Sequence, residues 1–198
     1  MTLRLITPPA AEPLSLTELR TYARLDTDNS PDALLTMLLT AARTVAENRT
    51  GRALITQTWE LVLDKFPAAE LELGMLPLQS ITSVKYYDGA GVLQTLVGTA
   101  YALDADTLPG WLLPAYNTTW PDTYAIANAV IIRFVAGYGA AGSFVPAELR
   151  MWIAAQVAAA YNNPDGTLPG SSGGLFSAMS AALPFIDGLL DAYRIRFF

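Results

Sequence analysis

Two closely spaced pairs of carboxylates are the residues of this chain whose type and spacing best suit chemistry. Glu70 and Glu72 form one pair, and Asp104 and Asp106 form the other. Side chains two positions apart on a β-strand point to the same face, and paired carboxylates act as acid and base in glycoside hydrolysis. The same spacing is typical of a solvated strand face or loop, and no other catalytic partner accompanies these pairs. We therefore predict that the chain is not an enzyme, with a carboxylate-based hydrolase kept as an alternative.

The chain contains neither cysteine nor histidine among its 198 residues. The absence of cysteine excludes disulfides, thiolate nucleophiles and Cys-ligated zinc or iron–sulfur sites. The absence of histidine excludes the Ser–His–Asp triad, His-ligated metals and the usual proton shuttle. Because most mechanisms that are readable from sequence need one of these two residues, we expect no catalytic residue, no cofactor and no metal.

One glycine-rich segment, residues 137–142 (GYGAAG), matches the G-x-G-x-x-G fingerprint of dinucleotide-binding proteins. The fingerprint requires a strand before it and a helix that opens at its third glycine. Three further residues intervene here before Pro146, and no clear strand follows the next helix. The segment is therefore interpreted as a turn that links a sheet to a helix.

Three aspartates near residue 30 suggest a calcium loop as a further alternative. An EF-hand loop that starts at Asp26 needs glycine at its sixth position and glutamate at its twelfth. Pro31 and Met37 occupy those positions. The aspartates, Asp26, Asp28 and Asp32, are therefore interpreted as polar capping of a helix.

The C-terminal segment combines aromatic residues with arginine, although chain ends are usually frayed and polar. Its residues are Tyr193, Arg194, Ile195, Arg196, Phe197 and Phe198. Aromatic residues and arginine are enriched at the energetic centres of protein interfaces. The segment is predicted to dock into another chain, with packing onto its own domain as the alternative.

Negative charge is concentrated in the middle of the chain, whose net charge is −6 from 12 basic and 18 acidic residues. Residues 54–135 carry three basic and eight acidic side chains, whereas residues 1–53 carry six of each. Broad nucleic-acid binding requires clustered Lys and Arg, which this chain lacks. No apolar run approaches the roughly 20 residues that span a bilayer, and no signal peptide is visible. We expect assembly in the cytoplasm and no membrane partner.

The elements that must position these residues follow a helix–strand–helix order. In the first 53 residues, Ser15 and Glu18 fit a capping box. Ser30 before Pro31 predicts the start of a second helix and Gly51 its end, and the wide apolar face of that helix predicts burial on more than one side.

The middle of the chain predicts short strands, because it is rich in β-forming residues and is interrupted by prolines. The predicted strands are residues 56–64, 71–73, 81–87, 92–96, 101–103 and 130–135. Residues 88–91 (DGAG) predict a hairpin turn. A last helix is predicted from Pro146 to Tyr161, and a flexible Gly/Ser-rich tract at 169–174 precedes the C-terminal segment.

Taken in order, these features resemble the head–tail connector proteins of tailed bacteriophages, also called adaptor or head-completion proteins. The most specific match is residues 41–59 (AARTVAENRTGRALITQTW). Further matching segments, spread over nearly the whole chain, are residues 14–20, 31–35, 66–67, 76–81, 86–88, 120–121, 133–139, 145–149 and 193–194. Gene transfer agents, which are phage-like particles, carry similar proteins.

The resemblance implies an α+β fold: a small helical bundle with an inserted β-rich subdomain and a C-terminal extension. Residues 1–53 would supply the N-terminal helices of the bundle, 54–136 the β-rich insertion, 137–168 the C-terminal helix, and 169–198 a flexible tract and C-terminal arm. The implied role is a structural virion component at the neck, a ring of usually twelve copies beneath the portal. Such a ring extends the DNA channel, through which DNA passes without sequence-specific binding, and offers a platform for a stopper or other neck protein.

Two expectations about sites follow from this resemblance. Related connectors use their C-terminal region to reach the portal, so Tyr193, Ile195, Phe197 and Phe198 are expected to fill apolar portal pockets and Arg194 and Arg196 to pair with portal carboxylates. Glu70, Glu72, Asp104 and Asp106 are expected to face the channel or the next neck component, since an acidic lining lowers friction with DNA phosphates. Another neck component, either a stopper or a tail-completion protein, is the alternative within the same class.

Overall fold

The structure is a computed structural model, and it describes residues 1–25, 31–107, 109–162 and 184–194. The chain divides into two compact units, each built from two separate stretches of sequence. The strand unit consists of Met1–Pro9 and Thr56–Tyr138, and the helical unit consists of Ala10–Ile55 and Gly139–Phe198. The predicted α+β fold is confirmed.

The strand unit contains two antiparallel sheets. The five-stranded sheet has the order β1-β2-β8-β4-β5. Its strands are β1 (Thr2–Thr7), β2 (Gln57–Leu63), β4 (Leu78–Tyr87), β5 (Leu93–Thr95) and β8 (Val130–Ala136). The three-stranded sheet has the order β3-β7-β6, from β3 (Leu71–Glu72), β6 (Tyr101–Asp104) and β7 (Trp111–Pro114).

The core of the strand unit lies along one face of the central strand β8. Alternate residues of β8 are fully buried, from Val130 to Ala136, which is the pattern of a half-buried strand. Leu61 and Val84 flank Ile132 on the neighbouring strands and are also fully buried. The opposite face is less buried and includes the ion pair of Arg133 and Glu60, whose N and O atoms are 2.8 Å apart.

The helical unit contains α1 (Leu16–Ala23), α2 (Asp32–Thr50), α3 (Ala147–Asn162) and α4 (Pro184–Asp191). The predicted capping box is confirmed: the Glu18 amide donates to Ser15 Oγ at 3.2 Å, and the Ser15 amide donates to Glu18 Oε2 at 2.8 Å. Gly51 ends α2 with φ +67°, as its sequence position predicts. Among the described residues, no helix is long and apolar enough to cross a membrane.

Helix α2 buries one face and exposes another. Leu35 and Leu39 are buried, whereas Leu34 and Met37 are 37% and 61% exposed. The wide apolar face of α2 predicted burial on more than one side. In the single chain, the side that carries Leu34 and Met37 is exposed.

A buried ionic cluster holds the buried face of α2 to the segment before α1. Arg43 lies 2.8 Å from Glu12 and 2.7 Å from Glu47. The second oxygen of Glu47 accepts the Leu54 amide at 3.0 Å, and Thr40 Oγ1 donates to Glu12 at 2.8 Å. Both carboxylates share one guanidinium, and each also accepts a hydrogen bond from a neutral donor, so the buried charged groups are hydrogen-bonded within the unit.

Among the described α-helices and β-strands, three were not predicted. Residues 2–7, expected among the helices of 1–53, form β1 and pair with β2. Residues 111–114 form β7, although Pro109 and Pro114 indicated a loop. Part of the C-terminal extension forms α4. The other predicted strands are present, and the Gly91 amide donates to the Asp88 carbonyl at 2.8 Å in the predicted hairpin turn.

Candidate functional site

The end of the described chain packs on its own helical unit through Tyr193. The Tyr193 hydroxyl donates to Glu148 Oε2 at 2.9 Å, and Arg52 Nε donates to the Tyr193 carbonyl at 2.7 Å. The Arg52 guanidinium also lies 5.9 Å from the centre of the Tyr193 ring, within range of a cation–π contact. We name this set, Arg52, Glu148 and Tyr193, the C-terminal anchor.

Local structure explains why these three side chains meet. Arg52 follows the left-handed turn at Gly51, and its amide donates to the Glu47 carbonyl at 3.3 Å. Glu148 lies in the first turn of α3, where its own backbone amide and then the Tyr193 hydroxyl lower the pKa of its carboxyl below the ordinary 4.5. Sequence reasoning missed Arg52 and Glu148 as partners of Tyr193, although both fall within matched segments, residues 41–59 and 145–149.

Arg194, the last described residue, is exposed. It forms an ion pair with Asp191 at 3.0 Å, and both side chains are about half exposed. An exposed ion pair of this kind contributes little to stability. Ile195, Arg196, Phe197 and Phe198 lie outside the described residues. Tyr193 therefore fits the alternative of packing onto its own domain, whereas the Arg194 side chain is exposed.

Two of the four singled-out carboxylates share one face of the three-stranded sheet. Trp111 on β7 is the register partner of Glu72 on β3 and of Asp104 on β6. Directly opposed residues in antiparallel strands point to the same side, so Glu72 and Asp104 flank the Trp111 ring at about two strand spacings, ~10 Å. Glu70 and Asp106 are exposed just outside these strands.

Asp104 has a structural role in the turn after β6. Its carboxylate accepts the Thr107 hydroxyl at 3.0 Å and the Thr107 and Asp106 amides at 3.2 and 3.1 Å. These hydrogen bonds, the Thr107 hydroxyl first, hold the pKa of Asp104 below the ordinary 3.8. A general acid needs a raised pKa, so Asp104 does not suit that role in glycoside hydrolysis.

A stacked aromatic pair fixes the segment that precedes Glu70. The rings of Phe66 and Trp120 stack with centroids 4.8 Å apart, and Trp120 Nε1 donates to the Ala69 carbonyl at 2.6 Å. Residues 66–67 and 120–121, two of the segments that carry the family resemblance, therefore contact each other. This packing fixes the backbone immediately before Glu70, where the chain enters β3.

Backbone conformation and close packing explain two of the glycines in the glycine-rich segment, residues 137–142. The Gly137 amide donates to the Pro77 carbonyl at 2.9 Å, with φ +137°. A Cβ at Gly142 would overlap the Pro13 carbonyl. The preceding strand β8 is antiparallel to both neighbours, so the βαβ unit of a dinucleotide site is not formed around it.

Of the three aspartates near residue 30, Asp26 and Asp28 lie outside the described residues, and Asp32 pairs with Arg20.

No protein-family model and no curated protein matches the chain. Chains in solved structures of gene transfer agent particles do match, over 100% of this chain and 97% of each matched chain. One is a chain from the neck of an empty particle, computed with C6 symmetry, at 26% identity and a TM-score of 0.81. Another, from the virion of a native particle, has 25% identity and a TM-score of 0.79. A third, from the neck of a native particle computed with C12 symmetry, shares the fold at 23% identity and a TM-score of 0.74.

These similarities cover both units, the helical one that carries the C-terminal anchor and the one that carries the acidic residues. They agree with the segment-by-segment match that the sequence makes to phage connectors. The resemblance of this chain to the head–tail connector family, including the members found in gene transfer agents, is thereby confirmed.

Proposed function

We propose that this chain is a head–tail connector: a structural neck protein that forms a ring on the portal, extends the DNA channel and carries the next neck protein. The observation that supports this most strongly is the full-length similarity to a chain of a gene transfer agent neck, with a TM-score of 0.81. Two of the similar structures were computed with C6 and C12 symmetry, which supports a ring of copies, twelve in our proposal.

The composition of the chain supports a structural role in an assembly. Only 15% of its residues are charged, compared with about 25% in typical soluble domains. A ring subunit covers two different side surfaces with its neighbours, and each needs apolar area. Exposed Leu34 and Met37 on α2 provide such area in the helical unit.

The C-terminal anchor supports different roles for Tyr193 and for the residues that follow it. Tyr193 is held by Arg52 and Glu148, so it fixes the point from which the following residues leave the helical unit. We propose that Arg194 and Arg196 pair with portal carboxylates and that Ile195, Phe197 and Phe198 enter apolar portal pockets. In this arrangement Tyr193 positions the arm, and the four residues after Arg194 supply most of the contact.

Deletion of residues 195–198 is expected to abolish portal binding while the subunit stays folded, because every contact of the C-terminal anchor is retained. The measurement is negative-stain imaging of the variant mixed with the portal protein encoded in the same genome. Wild-type protein should add a ring of density to the narrow end of the portal, and the truncated protein should leave the portal bare. Tyr116→Ser, which removes an aromatic side chain that is 93% exposed in the strand unit, is the control and should bind normally.

The results for the wild-type and the truncated protein test separately the connector role and the portal contact of residues 195–198. A bare portal with wild-type protein well above micromolar concentration would favour the other class of neck component, a stopper or tail-completion protein without portal contact. A ring that persists after truncation would leave the connector role intact and assign the portal contact to the helices.

We also propose that Glu70, Glu72 and Asp106 face the DNA channel or the next neck component. Asp104 belongs to the same acidic region, but its carboxylate holds the β6–β7 turn, so it is a poor position for substitution. Glu70→Lys, Glu72→Lys and Asp106→Lys together change the charge by +6, and lysines bind DNA phosphates. We expect slower DNA ejection from assembled particles, measured by dye release. Asp122→Lys, at another exposed acid of the strand unit, is the control, and unchanged ejection in the triple variant would exclude a channel-facing position.

A further inference from the structure

The five-stranded sheet ends in two strands that have no further partner among the described residues, β1 on one side and β5 on the other. Five of the six residues of β1 and all three of β5 are exposed. An edge strand presents a row of unpaired N–H and C=O groups, which can template the addition of another strand. The structure therefore offers two strand-addition sites on one sheet.

Both edges are unusually apolar for surfaces in contact with water. Leu5 and Ile6 on β1 are 44% and 41% exposed, and Val92, Leu93 and Val97 around β5 are 54%, 46% and 65% exposed. Natural proteins protect free edges with charges, prolines or bulges. Arg4 is the single charged residue in residues 2–7 and 93–97. Neither strand contains proline at an internal position, so little opposes pairing by backbone hydrogen bonds.

Besides Arg4, a bulge protects β1, and it leaves most of the strand regular. The register of β1 with β2 shifts between Leu5 and Thr7, whereas Thr2 to Leu5 pair one-to-one with Val62 to Trp59. These four regular residues exceed the three residues of β5. The lengths of the two free edges are therefore compatible with a strand pair.

The direction of the strands indicates which kind of symmetry fits the two edges. Each neighbouring pair in the order β1-β2-β8-β4-β5 is antiparallel, so β1 and β5 run in the same direction. A rotation about an axis along the strands brings β5 of one copy beside β1 of the next as a parallel pair, and each copy uses both edges once. That is the heterologous, closing contact of a cyclic ring. A two-fold dimer would instead pair β1 with β1 in antiparallel fashion and leave β5 uncovered.

We propose that a second copy of this chain is the occupant of each edge: β5 of one subunit pairs with β1 of its neighbour, so that the five-stranded sheets join into a continuous sheet around the ring. This inference rests on the proposed ring. Backbone hydrogen bonds give the pairing its direction, and Leu5, Leu93 and Val97 give it buried apolar area. The exposed apolar edges of the isolated chain are then covered in the assembly.

Engineered disulfides test the strand pair directly, because the natural chain contains no cysteine. Neighbouring strands lie about 4.8 Å apart, within the range that a disulfide bridges. Leu5→Cys is combined in turn with Leu93→Cys, Gln94→Cys and Thr95→Cys, so that both faces and adjacent registers are sampled. Each full-length variant is mixed with the portal, oxidised and run on a non-reducing gel. We expect at least one pair to give a ladder of covalent oligomers that disappears on reduction.

Controls and outcomes separate this inference from the proposed function. Leu5→Cys alone should give no ladder, and neither should Leu5→Cys with Tyr116→Cys, since Tyr116 lies outside both edges. Dimers from Leu5→Cys alone would indicate the two-fold β1 pair and overturn the proposal. Rings seen on the portal without any ladder would overturn the strand pairing and leave the connector role standing. If wild-type protein forms no ring, the connector role is contradicted. Oxidation of the double-cysteine variants as concentrated free protein then still tests the pairing of β5 with β1.

Lysine substitutions at the β5 edge provide a second test of the strand pair. Leu93→Lys with Val97→Lys introduces positive charges opposite the strand that carries Arg4, and edge lysines block strand addition. Ring formation should be lost while the circular dichroism spectrum of the free subunit stays unchanged. Normal rings formed by this variant would contradict the pairing.

Discussion

Replacing Arg43 by alanine is expected to lower the free energy of unfolding of the helical unit by about 3–5 kcal/mol, the usual loss when one partner of a buried ion pair is removed. Arg43 and Glu47 are 7% and 5% exposed. Without the guanidinium, the carboxylates of Glu12 and Glu47 would both lose their ion pair with Arg43. The loss should be measured as the opening free energy from hydrogen exchange of amides in residues 35–50.

The matched control for this prediction is Arg194→Ala, which breaks the exposed ion pair with Asp191. Exposed pairs contribute about 0–1 kcal/mol, so the control should change the opening free energy by no more than that. If Arg43→Ala and Arg194→Ala have similar small effects, the cluster does not stabilise the unit, and its buried charges would need another explanation.

Replacing Phe134 by alanine is expected to destabilise the strand unit by about 3–5 kcal/mol, the usual cost of emptying a buried phenylalanine site. Phe134 is fully buried on the central strand and lies opposite Trp59 on β2 and Ile81 on β4. Because strands flank it on both sides, the surrounding backbone has little freedom to close the cavity. Urea unfolding followed by tryptophan fluorescence should show the loss as a lower midpoint.

Tyr116→Ala provides the comparison, since this aromatic side chain is 93% exposed in the same unit. Exposed substitutions away from special features change stability by less than about 0.5 kcal/mol. A loss below about 1 kcal/mol for Phe134→Ala would mean that the core of this unit lies elsewhere than along β8.

Local signals explain the parts of the fold that the sequence predicted well. The capping box at Ser15, the left-handed end at Gly51 and the turn at residues 88–91 depend on a few neighbouring residues, and all three are present. The strand β8 was likewise predicted from its own run of β-branched and aromatic residues. Such features need no information from distant parts of the chain.

The strand β1 was missed because its cause is distant. Residues 2–7 (TLRLIT) have a strand-like alternation, but the partner strand starts only at Gln57, after two helices. The C-terminal anchor was missed for the same reason: Arg52 and Tyr193 are 141 residues apart. The residue types around Tyr193 indicated an interface, but they could not indicate that Tyr193 itself contacts its own unit.

The interleaving of the two units also determines the order in which a newly synthesised chain can complete them. During translation β1 is made first and has no partner until β2 follows, and the strand unit becomes complete once β8 has been made. The helical unit needs α3 and α4, which come last, and domains generally fold as units during synthesis. Arg52 therefore cannot contact Tyr193 until Tyr193 has been synthesised. Under the proposed function, a nascent chain has no positioned arm, so attachment to the portal is restricted to chains whose translation has finished.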